Sequence, residues 1–148
     1  MNQLDSRAYA LPHLPGTGVL LFCSMLLLPV AGLCAENIVH TAGAITYVSG
    51  GVDDASLDSL KGVAKNYDLK LVFALKSGEF MSDVKVAISD AKGNVVVSAT
   101  SDGPWFLAKL PAGSYRVVAT SSTGKSITQQ AVVAPAKLKA LDFRWASE

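Results

Sequence analysis

The side chains most capable of chemistry are few and poorly grouped. The 148 residues include two histidines, two cysteines and twelve carboxylates. A hydrolytic metal centre needs imidazole and carboxylate ligands converging on one ion. His13, Cys23 and Cys34 fall in an N-terminal leader, which leaves His40 as the sole imidazole beyond it. A serine nucleophile needs a base and a group that orients that base. The serines stand instead in turn-forming company, and His40 reads as a solvated polar residue. Asp53-Asp54 is no glycosidase pair, because adjacent helical residues point about 100° apart. Gly50-Gly51 lacks the further glycines and the Lys-Ser or Lys-Thr pair of a phosphate-cradling loop, and reads as a turn or a close backbone approach. The reading is non-catalytic, with no catalytic residue, no metal and no cofactor. Recognition then falls to aromatics, with Phe106, Tyr47 and Trp145 as candidates for stacking on a sugar ring or seating a partner loop, and with Phe80 expected beside Tyr47 near a sandwich end.

The leader sets the compartment. The uncharged apolar run from Val19 to Ala35 is followed by Glu36-Asn37, the pattern of a secretory signal peptide cut between Ala35 and Glu36. Its 17 or so residues sit at the short limit for a membrane span, and Pro29 and Gly32 interrupt it. Cleavage removes both cysteines, so no disulfide is expected. Lipidation of Cys34 is disfavoured by Leu33, since a small residue is wanted before a lipid-bearing cysteine. Residues 1–35 are thus a signal peptide and the remainder periplasmic or secreted, touching a membrane only if the leader is retained or lipidated. The formal charge of +1 supplies no field for nucleic acid.

The elements that position the candidates follow from periodicity. Residues 36–52 lack a period and read as a connecting segment. Over 53–67, Leu57, Leu60, Val63 and Tyr67 recur at helical spacing, with acids early and lysines late, which predicts a short amphipathic helix. From Leu69 the period becomes two. Leu69, Leu71 and Phe73, then Val84, Val86 and Ile88, form apolar faces. Asp90 to Asn94, Ser101 to Pro104, Pro111 to Gly113 and Ser122 to Gly124 punctuate further strands, the last carrying Leu141, Phe143 and Trp145. The reading is an all-β fold over 69–146, a seven-stranded Greek-key sandwich preceded by one short amphipathic helix. Trp105 and Leu107 are expected in its core. Phe106, opposite in phase, is expected on the outer face, either beneath the helix or open to a ligand.

The run Gly103-Pro104-Trp105-Phe106-Leu107-Ala108-Lys109-Leu110-Pro111-Ala112-Gly113-Ser114-Tyr115 resembles the signature of carboxypeptidase regulatory-like domains. In that signature a glycine, an aromatic and a leucine precede Pro-x-Gly-x-Tyr. The hairpin from Val84 through Asp90 to Gly93 is similar to theirs as well. The likeness covers about half the chain and implies a transthyretin-like (prealbumin-like) sandwich that serves as an accessory folding or docking module. Small secreted proteobacterial proteins look alike in the segment from Tyr47 to Ala74. Gly103, Trp105, Leu110, Pro111, Gly113 and Tyr115 are each accounted for by folding, with Gly113 supplying a backbone angle closed to bulkier residues and the Tyr115 hydroxyl reaching nearby backbone. Hydroxyisourate hydrolases, which share the fold, rely on histidines and a terminal Tyr-Arg-Gly-Ser; residues 143–148 here read Phe-Arg-Trp-Ala-Ser-Glu. Lys70, the candidate for a pilin-type isopeptide bond, has neither the asparagine nor the acid it would need, and is expected to face solvent opposite Leu69 and Leu71. The expected function is a non-catalytic envelope module with a protein partner, or alternatively a polysaccharide held by exposed aromatics.

Overall fold

The structure, a computed structural model, describes residues 37–148. The expected signal peptide, its expected cut between Ala35 and Glu36, and Cys34 lie outside the described residues. Among the described residues nine strands are present where seven were expected, and they form two sheets. Val39–Ala42 (β1) and Ile45–Gly50 (β2) precede Asp54–Val63 (α1) and a 3-10 turn, Ala64–Asn66. Then follow Leu69–Leu75 (β3), Lys85–Ser89 (β4), Val95–Thr100 (β5), Trp105–Lys109 (β6), Gly113–Thr120 (β7), Ser126–Val133 (β8) and Lys139–Trp145 (β9). One sheet has the order β1-β2-β6-β3-β9, the other β5-β4-β7-β8. Among the described strands only β3 and β9 pair in parallel.

The two extra strands correct the reading of residues 36–52 as a connecting segment. Ala42 and Ile45 close a hairpin through Gly43, which has φ 60°. β2 then pairs with β6, Val48 opposite Leu107. No period was legible because β2 is covered on both faces. Ile45 belongs to the core between the sheets and Val48 to a second cluster beneath the helix, three positions apart and on opposite sides.

The sheets face each other across Leu71, Phe73, Phe106 and Phe143 from one, and Val86, Ile88, Val117 and Ala119 from the other. All eight are at most 2% exposed. Full burial of each large side chain is worth about 1.5–3 kcal/mol, so this layer dominates the folding energy. Strands β3, β4 and β7 take the inward phase that their alternation predicts.

The helix forms where its pattern places it. The Asp53 carboxylate accepts from Ser56 N at 2.7 Å, capping the first turn, and the Ser56 hydroxyl accepts from Gly51 N at 2.9 Å. Leu60, fully buried, closes on Val48 and Leu107, with Val63, Tyr67 and Trp105 around it. Gly50-Gly51 is the close approach that lets this happen. A Cβ on Gly51, whose φ is 88°, would lie 3.3 Å from Leu57 Cδ1.

Candidate functional site

The signature segment passes through the middle of the first sheet, and its residues are engaged in folding contacts. Gly103 abuts Gly50 so closely that any Cβ there would collide with the Gly50 carbonyl. The Pro104 carbonyl accepts from Phe73 N at 2.8 Å, and Leu110 N donates to the Asp68 carboxylate at 3.1 Å. Leu110 is buried, and Pro111 presents its carbonyl to the Tyr115 hydroxyl, which donates at 2.7 Å. Burial raises the Tyr115 pKa, and Asp90 and Asp68 act in the same direction. Gly113 has φ 159°, at the edge of the positive range that L side chains rarely adopt, and a Cβ there would make only ordinary contact with the Tyr115 ring at 3.7 Å, so the glycine supplies backbone angle and not space.

The two aromatics of β6 occupy faces opposite to those expected. Phe106 is fully buried between the sheets, whereas Trp105 is half-buried on the outer, helix-bearing face with Leu107. The sequence pairs Trp105 with Leu107 correctly. It assigns that pair to the wrong side because β6 is covered on both sides, by α1 and by the second sheet, so bulk does not mark the inner face. Lys70 also projects to the outer face, opposite Leu69 and Leu71. Its ammonium rests 3.3 Å from the Trp105 ring centroid, in the geometry of a cation–π contact. Burial lowers the Lys70 pKa, Asp142 opposes that shift and Lys61 adds to it.

The three aromatics assigned to ligand stacking are not an open platform. Trp145 is 3% exposed and its indole N–H donates to the Lys125 carbonyl at 2.8 Å. Phe106 is enclosed, and Tyr47 is stacked between it and His40, with ring centroids 4.9 and 5.2 Å away. Trp145 shares its inward phase with Leu141 and Phe143 and lies with them in the core, which corrects its expectation as an exposed aromatic. The period itself carried the right answer.

The titratable groups come together at one place that spacing did not suggest. His40 Nε2 lies 3.7 Å from the Asp102 carboxylate, and Asp102 N donates to the Ser49 hydroxyl at 2.9 Å. Ser49 is committed to backbone, since its own hydroxyl donates to the Trp105 carbonyl at 3.1 Å. Its oxygen therefore does not stand free beside the imidazole. Asp102 is 68% exposed, in high dielectric where an ion pair is worth little. Asp68 and Asp83 are elsewhere, Asp68 bound to Leu110 N and Asp83 donating through its backbone N–H to Ser101. Among the described residues no group of three or more His, Cys, Asp or Glu side chains is disposed to hold a metal ion.

Exposed apolar surface is more informative. Phe80 is 59% exposed and Val52 72% exposed, and together with Gly51, Met81, Ser82 and Pro104 they line a depression of about 150 Å³. Phe80 is held there by an isolated bridge to Ala74 and by Met81 N donating to the Phe73 carbonyl at 3.0 Å. The segment is thus positioned by β3 and does not hang free. No protein-family model matches the chain, and no curated protein matches it.

Proposed function

We propose that this chain is an exported, non-catalytic interaction module of the cell envelope that docks on a protein partner. The observation that carries the reading is the pair Phe80 and Val52, two large apolar side chains left open beside Pro104, Phe80 on a segment fixed to β3 by backbone bonding. An aromatic anchor next to a shallow apolar depression has the chemistry of a protein-interface hot spot. The partner is accordingly an apolar loop or strand end of another envelope protein. Several features support a Greek-key, carboxypeptidase regulatory-like affinity: chain crossings between the sheets after β5 and again after β6, a parallel β3–β9 pair, and a tyrosine bonded back to the turn before its strand.

Site-specific photo-crosslinking in intact cells tests the docking end. A crosslinker at position 80 is expected to yield one adduct of defined mass that a crosslinker at Thr128 does not. Equal labelling from both positions, or no adduct, counts against the proposal. Export is tested by the intact mass of the envelope fraction, which is expected to begin at Glu36 and to lack cysteine. Diacylglycerol on Cys34 would overturn that part.

A further inference from the structure

The apolar depression at Phe80 has a charged rim of one sign. The three segments that meet there, 50–56, 78–84 and 101–105, carry Asp53, Asp54, Glu79, Asp83 and Asp102 and no lysine or arginine, in a chain whose formal charge is only +1. Asp53 caps α1, and Asp102 faces His40. Asp54, Glu79 and Asp83 remain, all exposed and none paired with a lysine or arginine among the described residues. The nearest basic residues along the chain, Lys76 and Lys85, lie outside these segments, and Lys85 faces the outer side of the second sheet.

The opposite end of the sandwich carries the complement. β8 and β9 are joined there through Pro135-Ala136, in a turn closed by a bridge between Ala134 and Lys137, with Ala136 at φ 56°. Val132 is 66% exposed and Leu138 38%, and Leu138 stands between Lys137 and Lys139 in one shared patch. Neither ammonium makes an ion pair or a hydrogen bond among the described residues, and no acid occurs between Val132 and Leu141. The register keeps the two patches apart. Lys139 lies opposite Leu69 at the start of β3, whereas Phe80 bridges Ala74 near its end, about 17 Å along the strand.

We propose that the Phe80 depression of one copy receives the Lys137-Leu138-Lys139 turn of a second copy, so that the chain assembles head to tail. This rests on the docking reading above and identifies the envelope protein whose apolar loop docks as another molecule of this same chain. Leu138 and Val132 meet Phe80 and Val52, which removes from water the apolar surface left open at both ends. Lys137 and Lys139 bring to the acidic rim the charge it lacks. Like ends repel, two acid-rimmed patches as much as two lysine turns, so the charges select the unlike pairing. A contact between unlike ends leaves one end of each kind free, and it propagates instead of closing as a two-fold dimer does. The few side chains involved place each contact in the weak, transient class.

Sedimentation equilibrium on the exported protein, up to millimolar concentration, is expected to show a mean mass that climbs past twice the protomer. Phe80→Asp blocks one end, and Lys137→Glu with Lys139→Glu blocks the other. All three positions are exposed, so both variants should keep the parent's melting temperature. Each alone should associate about tenfold more weakly or worse. Their equimolar mixture keeps one competent end of each kind, and should regain the wild-type association constant and stop at two protomers. A wild type that is monomeric throughout overturns the inference, as does a mixture of folded variants that does not recover. In cells, a photo-crosslinker at position 80 separates this inference from the docking reading and needs no variant that disturbs either end. An adduct of twice the protomer mass, linked within residues 132–139, supports a second copy. An adduct to a different protein overturns the second copy and leaves docking standing, and no adduct overturns both.

Discussion

Replacing Phe106 and Trp105 by alanine, one at a time, asks which side of β6 faces the main core. Phe106 is wholly enclosed and stacked on Tyr47 at 4.9 Å. Phe106→Ala removes a fully buried ring from between two sheets, at a cost of about 3–5 kcal/mol. Trp105 is half-buried over α1's face, so its truncation forfeits only part of that, about 1.5–2.5 kcal/mol. Loss of the Lys70 contact adds about 0.5–1 kcal/mol. At about 4 °C of melting temperature per kcal/mol for a chain of this size, Phe106→Ala should fall by about 12–20 °C and Trp105→Ala by about 8–14 °C. Against a total stability of about 5–15 kcal/mol, the first is close to unfolding and the second is not. Urea denaturation followed by far-UV circular dichroism, with thermal melts beside it, measures both, provided the urea slope is unchanged. If Trp105→Ala proves costlier than Phe106→Ala, the two faces of β6 are the other way round and this packing argument fails.

Gly103→Ala should destabilise strongly, because its methyl meets the Gly50 backbone, while Gly62→Ala, with nothing within 4 Å, should stabilise α1 by about 0.5–1 kcal/mol. Thermal melts of the two variants moving in the same direction would contradict both assignments. Tyr115→Phe should lose about 0.5–1.5 kcal/mol with its bond to the Pro111 carbonyl, and a urea midpoint equal to the wild type's would show that bond contributes nothing. Asp90 has its carboxyl held below the ordinary range, first by the Asn94 amide and further by Lys92 N. Its stabilisation is present above the ordinary carboxylate pKa and is lost as pH falls through the lower folded value. The stability difference between wild type and Asp90→Ala should therefore shrink on acidification, and a pH-independent difference would refute the turn's electrostatic role.

The inward faces of β4 and β7 were legible because each strand has one buried side and alternation reports it directly, and that of β3 because its larger side chains, Leu69, Leu71 and Phe73, share one phase although Val72 and Ala74 are buried on the other. The helix was legible from Leu57, Leu60 and Val63 and from the acids at its start and lysines at its end. β1 and β2 were not, since Ile45 and Val48 enter different clusters and leave no period to read. The same double coverage hid the orientation of Phe106. His40 and Asp102 are 62 positions apart in sequence, and only the β2–β6 pairing, itself unforeseen, draws their segments together. Phe80 stood in a turn-like segment next to Ser77-Gly78-Glu79, and nothing in its composition marked the bridge to Ala74 that fixes it at the surface.

Docking through the Phe80 end, as proposed, on a scaffold whose Gly103 to Tyr115 segment is engaged in folding, fixes the outcome of one comparison. A photo-crosslinker placed at position 52 is carried into cells with and without Phe80→Asp, and the melting temperature of each protein is measured alongside. Because Phe80 is 59% exposed, the substitution should leave the melt within about 0.5 kcal/mol of the parent while abolishing the adduct. An adduct of undiminished yield from a folded Phe80→Asp protein would contradict the account.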